Sequence, residues 1–247
     1  SDPEAFGRVT PVDVAVQGDT RLAAAALDAE LARRGHRATG YRTSDVAARI
    51  ADGSALEPFR DMSEPNAVDP RTLMSRLEAM LPRDRTVVQD GAYNQRFSTT
   101  YLSVPDARSF ILPREFEALG SAMAQALGAA VARPDRLTLL CTGDGGFMMS
   151  SADFDTAVRH RLPLLVLVSD NGGFGAEVLM LRRWGLPETV PAYGSPSFAA
   201  MAKGLGAASA TVRTVDDIAA LEPLIRDMNG PLLIDAKVAL EVPFKDS

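Results

Sequence analysis

Short runs that are apolar from end to end, separated by stretches of helical periodicity, restrict this chain to one broad architecture. LTLLC (137–141), LLVLVS (164–169) and LLIDA (232–236) lack the alternation of a half-exposed strand. A strand apolar on both faces must be covered on both faces, which is the condition of a parallel sheet flanked by helices. TVVQ (86–89) and ATVR (210–213) supply two further strands, and the spacing predicts helices over 117–132, 151–160, 197–205 and 214–227. The last opens with a capping box from Thr214 to Asp217. The expected fold class is α/β: a doubly wound parallel sheet with helices on both faces.

Ahead of that pattern, VDVAV (12–16) reads as a strand and 20–34 as a helix with Leu22, Ala25, Leu27 and Leu31 on one stripe. Residues 51–68 carry Gly, Ser and two prolines and read as a linker. Asp69-Pro70 then opens a helix that places Leu73, Met74, Leu77 and Met80 on one face. A boundary is expected near residue 60, with 1–60 a partial unit and linker and 61–247 a complete α/β domain. The first piece has little apolar surface, so the chain reads as entering a larger protein partway.

Composition narrows the chemistry. A net charge of −6 argues against nucleic acid or an anionic membrane as partner. No apolar run approaches the roughly 20 residues of a bilayer span, and no signal peptide opens the chain. Cys141, without a second cysteine, fits a reducing cytoplasm. His36 and His160 are too few for a histidine-rich metal site. His160 lies in the basic run Arg159-His160-Arg161, where a helix C-terminus explains it.

The informative segment is 141–175, CTGDGGFMMSSADFDTAVRHRLPLLVLVSDNGGFG. One apolar strand ends in Gly143-Asp144-Gly145-Gly146, a helix follows, and a second apolar strand ends in Asp170-Asn171-Gly172-Gly173. In a parallel sheet both turns lie at the carboxyl edge, where ligands of doubly wound folds bind. Glycines beside Asp144 allow backbone N–H groups to approach an anion, and the following helix adds its positive end. A carboxylate, an amide oxygen and backbone carbonyls suit Mg²⁺, which takes about six oxygens, some of them from phosphates. The residues thus predict a Mg²⁺–diphosphate clamp without naming the organic group.

G-D-G, 24 residues, then D-N resembles the signature of thiamine-diphosphate-dependent enzymes, which reads G-D-G followed at this distance by N-N or N-D. GDGGFMM, DTAVRHRLPL and GFGAE resemble the acetolactate synthase-like branch, and the similarity covers most of residues 8–240. The resemblance implies Asp144 and Asn171 as side-chain ligands of the metal and Gly173 as a carbonyl ligand. It implies diphosphate held by the N–H groups of Gly145 and Gly146, with Gly143, Phe174 and Gly175 completing the cofactor contacts. Asp170 departs from the asparagine of many relatives.

The same resemblance extends to two flanking stretches. EALGSAMAQALG is similar to the family's G-x-M-G passage, which makes Leu119 the apolar wedge between the cofactor's rings. Glu117 then supplies the carbonyl for the aminopyrimidine, at a position where glycine is usual. DGAYNQ (90–95) is similar to the D-V-G-Q-H-Q loop, which places Ala92, Tyr93 and Asn94 against the diphosphate. Residues 176–193, with Arg182, Arg183 and Trp184, shape the substrate side in relatives; from the residues alone the two arginines read as a solvated helix face.

The implied function is decarboxylation or carboligation of 2-oxo acids with thiamine diphosphate and Mg²⁺. The implied partners are a small 2-oxo acid and the pyrimidine-binding domain of another subunit, which carries the glutamate that meets N1′. The full-length form is expected as a homodimer or homotetramer, with FAD left open. Two other readings stand beside it: a subunit of a split enzyme, and a non-catalytic thiamine-diphosphate-binding homologue. A nucleotide-binding domain of another kind is disfavoured, because neither G-x-G-x-x-G nor a P-loop follows a strand.

Overall fold

The computed structural model describes residues 3–8, 10–37, 40–51, 58–91, 93–113 and 116–243. The chain divides into two units, Ser1–Ala55 and Leu56–Ser247, against the boundary expected at 60.

The first unit holds a 3₁₀ turn and two helices, α1 (Thr20–Arg33) and α2 (Ser44–Ala51). Asp19 caps α1 by accepting a hydrogen bond from Leu22 N–H at 3.0 Å. The strand expected over 12–16 does not form, and Val12, Val14 and Val16 stand exposed. A strand needs a neighbour for its backbone groups, and among the described residues this unit contains none. The stripe of α1 is helical as expected but likewise exposed at Leu22, Leu27 and Leu31.

The second unit is built on six parallel strands: β1 (Arg85–Gln89), β2 (Phe110–Ile111), β3 (Leu137–Gly143), β4 (Leu164–Asp170), β5 (Ala208–Val212) and β6 (Leu232–Lys237). Their order across the sheet is β2-β1-β3-β4-β6-β5. Alternate residues of each strand point to opposite faces. Val87, Leu139, Leu165, Leu167 and Ile234 enter one core with α3 (Pro70–Met80), α4 (Gln95–Tyr101), α10 (Val215–Ala219) and α11 (Leu221–Arg226). Val88, Leu140, Val166, Val168 and Leu233 enter the other. That second core is closed by α5 (Ser121–Ala132), α6 (Asp144–Ser150), α7 (Phe154–Arg159) and α9 (Phe198–Gly204). The expected three layers are therefore present, and the second core adds Phe147, Phe154 and Phe198, packed edge to face, to its aliphatic side chains.

Local chemistry moved several boundaries. Helix α5 starts at Ser121 and not at 117, because Glu117 (φ 51°) and Gly120 (φ 84°) lie in the left-handed region, which a helix cannot include. The expected helix 214–227 is two pieces: Pro223 offers no N–H to the Ala219 carbonyl and its ring crowds it, so the chain restarts at Leu221. The capping box at Thr214 and Asp217 is present. Residues 58–68 are not a free linker. Val68 N–H donates to the Lys237 carbonyl at 2.8 Å, and Arg71, buried with Asp69, reaches the Arg60 carbonyl and stacks on Phe59.

Candidate functional site

The connection from β1 leads to β2 on one side, and the next strand, β3, pairs with β1 on the other. This reversal opens a crevice at the carboxyl ends of β1 and β3, the usual ligand position of a doubly wound sheet. Asp90, just past β1, is buried and accepts hydrogen bonds from three donors there. Gly91 N–H donates at 2.9 Å, Gly120 N–H at 3.0 and 3.1 Å to the two oxygens, and Thr142 Oγ1–H at 2.9 Å. One carboxylate thus ties together the end of β1, the turn before α5 and the end of β3. Gly146 packs against it so closely that an added Cβ would collide with Asp90 and lie 2.8 Å from Thr142 Oγ1.

Asp144 begins α6 directly at the end of β3 and is 2% exposed. Its Oδ1 accepts from Gly145 N–H at 2.8 Å, and its Oδ2 accepts from Gly173 N–H at 2.7 Å, beyond the end of β4. Burial pushes the Asp144 carboxyl up to about 7, Asp170 adds repulsion, and the two N–H groups act in the opposite direction. Asn171, in the turn after β4, has its Oδ1 buried without a hydrogen-bond donor. A buried acceptor left unsatisfied costs about 1–3 kcal/mol, which a cation would remove. Gly172 (φ 83°) makes the turn possible, and its carbonyl accepts from Tyr193 and Gly194 N–H.

Among the described residues no cluster of three or more His, Cys, Asp or Glu side chains is placed to hold a metal. The donor set at hand is mixed: one carboxylate, one amide oxygen and backbone carbonyls. Mg²⁺ accepts such a set when phosphate oxygens complete its shell.

Asp144 and Asn171 line one narrow slot of about 30 Å³ with Asp90, Gly91, Asn94 and Leu119. Gly91 and Leu119 also line a cavity of about 390 Å³, which reaches Gln95, Glu117 and Glu177. An ion-sized recess at the strand ends therefore opens beside a space large enough for an organic group.

A family model described as "Thiamine pyrophosphate enzyme, C-terminal TPP binding domain" matches residues 90–236, which contain β2 to β5, all but the last residue of β6, and the whole slot. The chain belongs to the thiamine pyrophosphate enzymes. It is 29% identical over 245 residues to sulfoacetaldehyde acetyltransferase of Alcaligenes xylosoxydans xylosoxydans, a match covering 88% of this chain and 40% of that protein. It is 27% identical over 243 residues to a putative acetolactate synthase large subunit of Mycobacterium tuberculosis, covering 98% of this chain and 42% of that protein. The chain thus spans about two fifths of the length of these relatives. The crystal structure of benzoylformate decarboxylase from Polynucleobacter necessarius shares the fold, with TM-score 0.68 and 18% identity over 76% of this chain and 36% of that one.

Of the residues that the sequence singles out, the slot brings together Tyr93, Asn94, Leu119, Gly143, Asp144, Gly145, Gly146, Asn171, Gly173, Phe174 and Gly175. Glu117 lies in the neighbouring cavity, and Ala92 lies outside the described residues. The Tyr93 side chain turns away from the slot toward the Ala239 and Leu240 carbonyls, with Arg96 over its ring. Asn94 Nδ2 donates to the Ser169 carbonyl at 3.3 Å. His160 caps the end of α7 and is exposed. Arg182 is held by Glu188 and Glu241, and Cys141 is buried in β3.

The sequence alone does not single out two residues of the site. Asp90 reads there only as the start of a loop, although an acid directly after an apolar strand is a signal for such a strut. Glu177 follows the glycine turn in the first turn of α8 (Gly175–Arg183), and its Oε2 is buried without a hydrogen-bond donor. Its spacing from Asn171 is a signal only once the cavity is known.

Proposed function

We propose that this chain holds thiamine diphosphate through Mg²⁺ and serves an enzyme that decarboxylates or carboligates 2-oxo acids. The observation that carries this reading is the pairing of a buried Asp144 carboxylate with the orphaned Asn171 Oδ1 in one slot at adjoining strand ends. Asp144 and Asn171 bind the ion through side chains and Gly173 through its carbonyl; Gly145 and Gly146 face the diphosphate. When bound, thiamine diphosphate supplies a nucleophilic thiazolium carbon that adds to the carbonyl of a 2-oxo acid.

The chain's own contributions are positional and protonic. Leu119, at the junction of slot and cavity, would pack against the cofactor, and Asp90 fixes that turn through Gly120 N–H. Glu177 Oε2 offers a carboxyl oxygen that can hold a proton on the substrate side of the cavity. The names of an acetolactate synthase and a pyruvate decarboxylase among the relatives agree with 2-oxo acid chemistry at such a site, whereas the acetyltransferase is named for an aldehyde. The glutamate for N1′ comes from a pyrimidine-binding domain of another subunit, so these 247 residues turn over no 2-oxo acid by themselves.

Mn²⁺ binding followed by electron paramagnetic resonance tests the reading. Thiamine diphosphate is expected to tighten Mn²⁺ binding by about tenfold or more, because the phosphates complete the shell, whereas thiamine leaves it unchanged. Mn²⁺ binding indifferent to thiamine diphosphate would refute the clamp, and sustained CO₂ release by the isolated chain would refute the need for a second domain.

A further inference from the structure

The strand pairing between β4 and β6 sets Asp170 directly opposite Lys237. Both are buried, at 2% and 6% exposure. Lys237 Nζ bonds Asp170 Oδ2, lies 2.8 Å from Asp235 Oδ1 and donates to the Pro196 carbonyl at 3.1 Å. Ser195 Oγ–H also donates to Asp170 Oδ2, while Asp170 Oδ1 accepts from Gly172 N–H at 2.9 Å. The Asp170 carboxylate is therefore occupied by Lys237, Ser195 and Gly172, and it braces the turn that carries Asn171 and Gly173.

Asp170 also stands near enough to Asp144 for their like charges to oppose each other. An anion this close to a divalent-ion site has two options: it joins the ion, or a fixed cation keeps it aside. A neutral amide at 170 would need no such cation. Lys237 is that cation, buried on the neighbouring strand, with Asp235, the Pro196 carbonyl and the Phe198 ring as its other partners.

We propose that Lys237 is a positioning residue for the metal site: it holds the Asp170 carboxylate off the ion, so that Asn171 remains the ligand and the site keeps the small, six-oxygen shell of Mg²⁺. This rests on the Mg²⁺–diphosphate reading of the slot. Without Lys237, Asp170 turns toward the ion and adds a carboxylate oxygen. Ca²⁺ gains more from that than Mg²⁺, because it accepts six to eight oxygens in loose geometry whereas Mg²⁺ demands a near-ideal octahedron.

The test is calorimetric titration of Mg²⁺ and, separately, Ca²⁺ into the protein at saturating thiamine diphosphate, with thermal melting as a control for folding. Lys237→Met is expected to shift the Mg²⁺/Ca²⁺ affinity ratio toward Ca²⁺ by about tenfold, and the double variant Asp170→Asn/Lys237→Met to return it to near the wild-type value. A purely structural role for Lys237 would weaken both ions alike and leave the ratio fixed, and that result overturns the proposal. If Lys237→Met does not fold, the comparison moves to Asp170→Asn, in which Asp235 still holds the lysine. That variant is expected to bind both ions about tenfold more weakly, through a cation that has lost one of its two carboxylate partners, and to recover when Lys237→Met is added. Absence of recovery overturns the proposal. Wild-type protein that binds neither ion with thiamine diphosphate would instead remove the reading of the slot itself.

Discussion

Asp144 Oδ2 accepts a hydrogen bond from Gly173 N–H at 2.7 Å, and this bond joins the carboxyl end of β3 to the turn after β4. Two loops far apart in the chain are thereby set on one ion-sized slot, with Asn171 Oδ1 left as a free acceptor inside it. The arrangement puts negative charge where water is excluded. Stability is given up there until a cation arrives.

That cost has a pH signature. Burial raises the Asp144 carboxyl from 3.8 to about 7, so its ionisation disfavours the folded state. Its contribution to stability is fully present below pH 3.8, declines as pH rises, and is lost once pH passes about 7. The metal-free protein, compared with Asp144→Ala at each pH, should therefore lose roughly 1–4 kcal/mol of relative stability between pH 4 and 8. Mg²⁺ with thiamine diphosphate should reverse the loss. Thermal melts across this range check both; a difference that is flat with pH would contradict the assignment.

Glu117 sits at φ 51° at the mouth of the larger cavity. A non-glycine residue there costs about 1–2 kcal/mol, against which glycine loses roughly 0.5–1 kcal/mol of chain entropy. Glu117→Gly should be neutral or stabilising by up to about 1 kcal/mol in urea denaturation, with cofactor affinity unchanged. A clear loss of affinity would show that the side chain, and not the backbone carbonyl, meets the ligand.

Two glycines of the same domain should respond in opposite directions. An added Cβ at Gly146 meets Asp90 and Thr142, while at Gly128 in α5 it meets nothing within 4 Å. Gly146→Ala should cost about 1–3 kcal/mol by overpacking and weaken cofactor binding through the displaced Gly120 turn. Gly128→Ala should stabilise the helix by about 0.8–1.0 kcal/mol. Equal effects in denaturation curves would show that Asp90 does not constrain the glycine-rich loop.

The parts of this fold visible in the sequence are those governed by local rules. β3 and β4 are apolar on both faces over most of their length, and β6 is so from Leu232 to Ile234, so their burial between helix layers is readable one residue at a time. Asp144 and Asn171 were readable because each directly follows such a strand. The failures have physical causes. VDVAV has strand composition but no partner to pair with, and β2 is two residues that pair only because β1 lies beside them. Asp90 and Glu177 gain meaning from atoms contributed by other loops, Gly120 N–H and the cavity wall, which no local pattern encodes. Asp170 shows in the sequence only as a departure from asparagine, and the register of β4 on β6 reveals the buried lysine opposite it.

The most direct test of the account is calorimetric titration of Mg²⁺–thiamine diphosphate into the wild-type chain and into Asp144→Ala. A ligand carboxylate at a diphosphate-bound ion predicts at least about a hundredfold loss of affinity in the variant, with the fold retained by circular dichroism. Equal affinity in the two proteins would contradict the claim that Asp144 and Asn171 grip one ion.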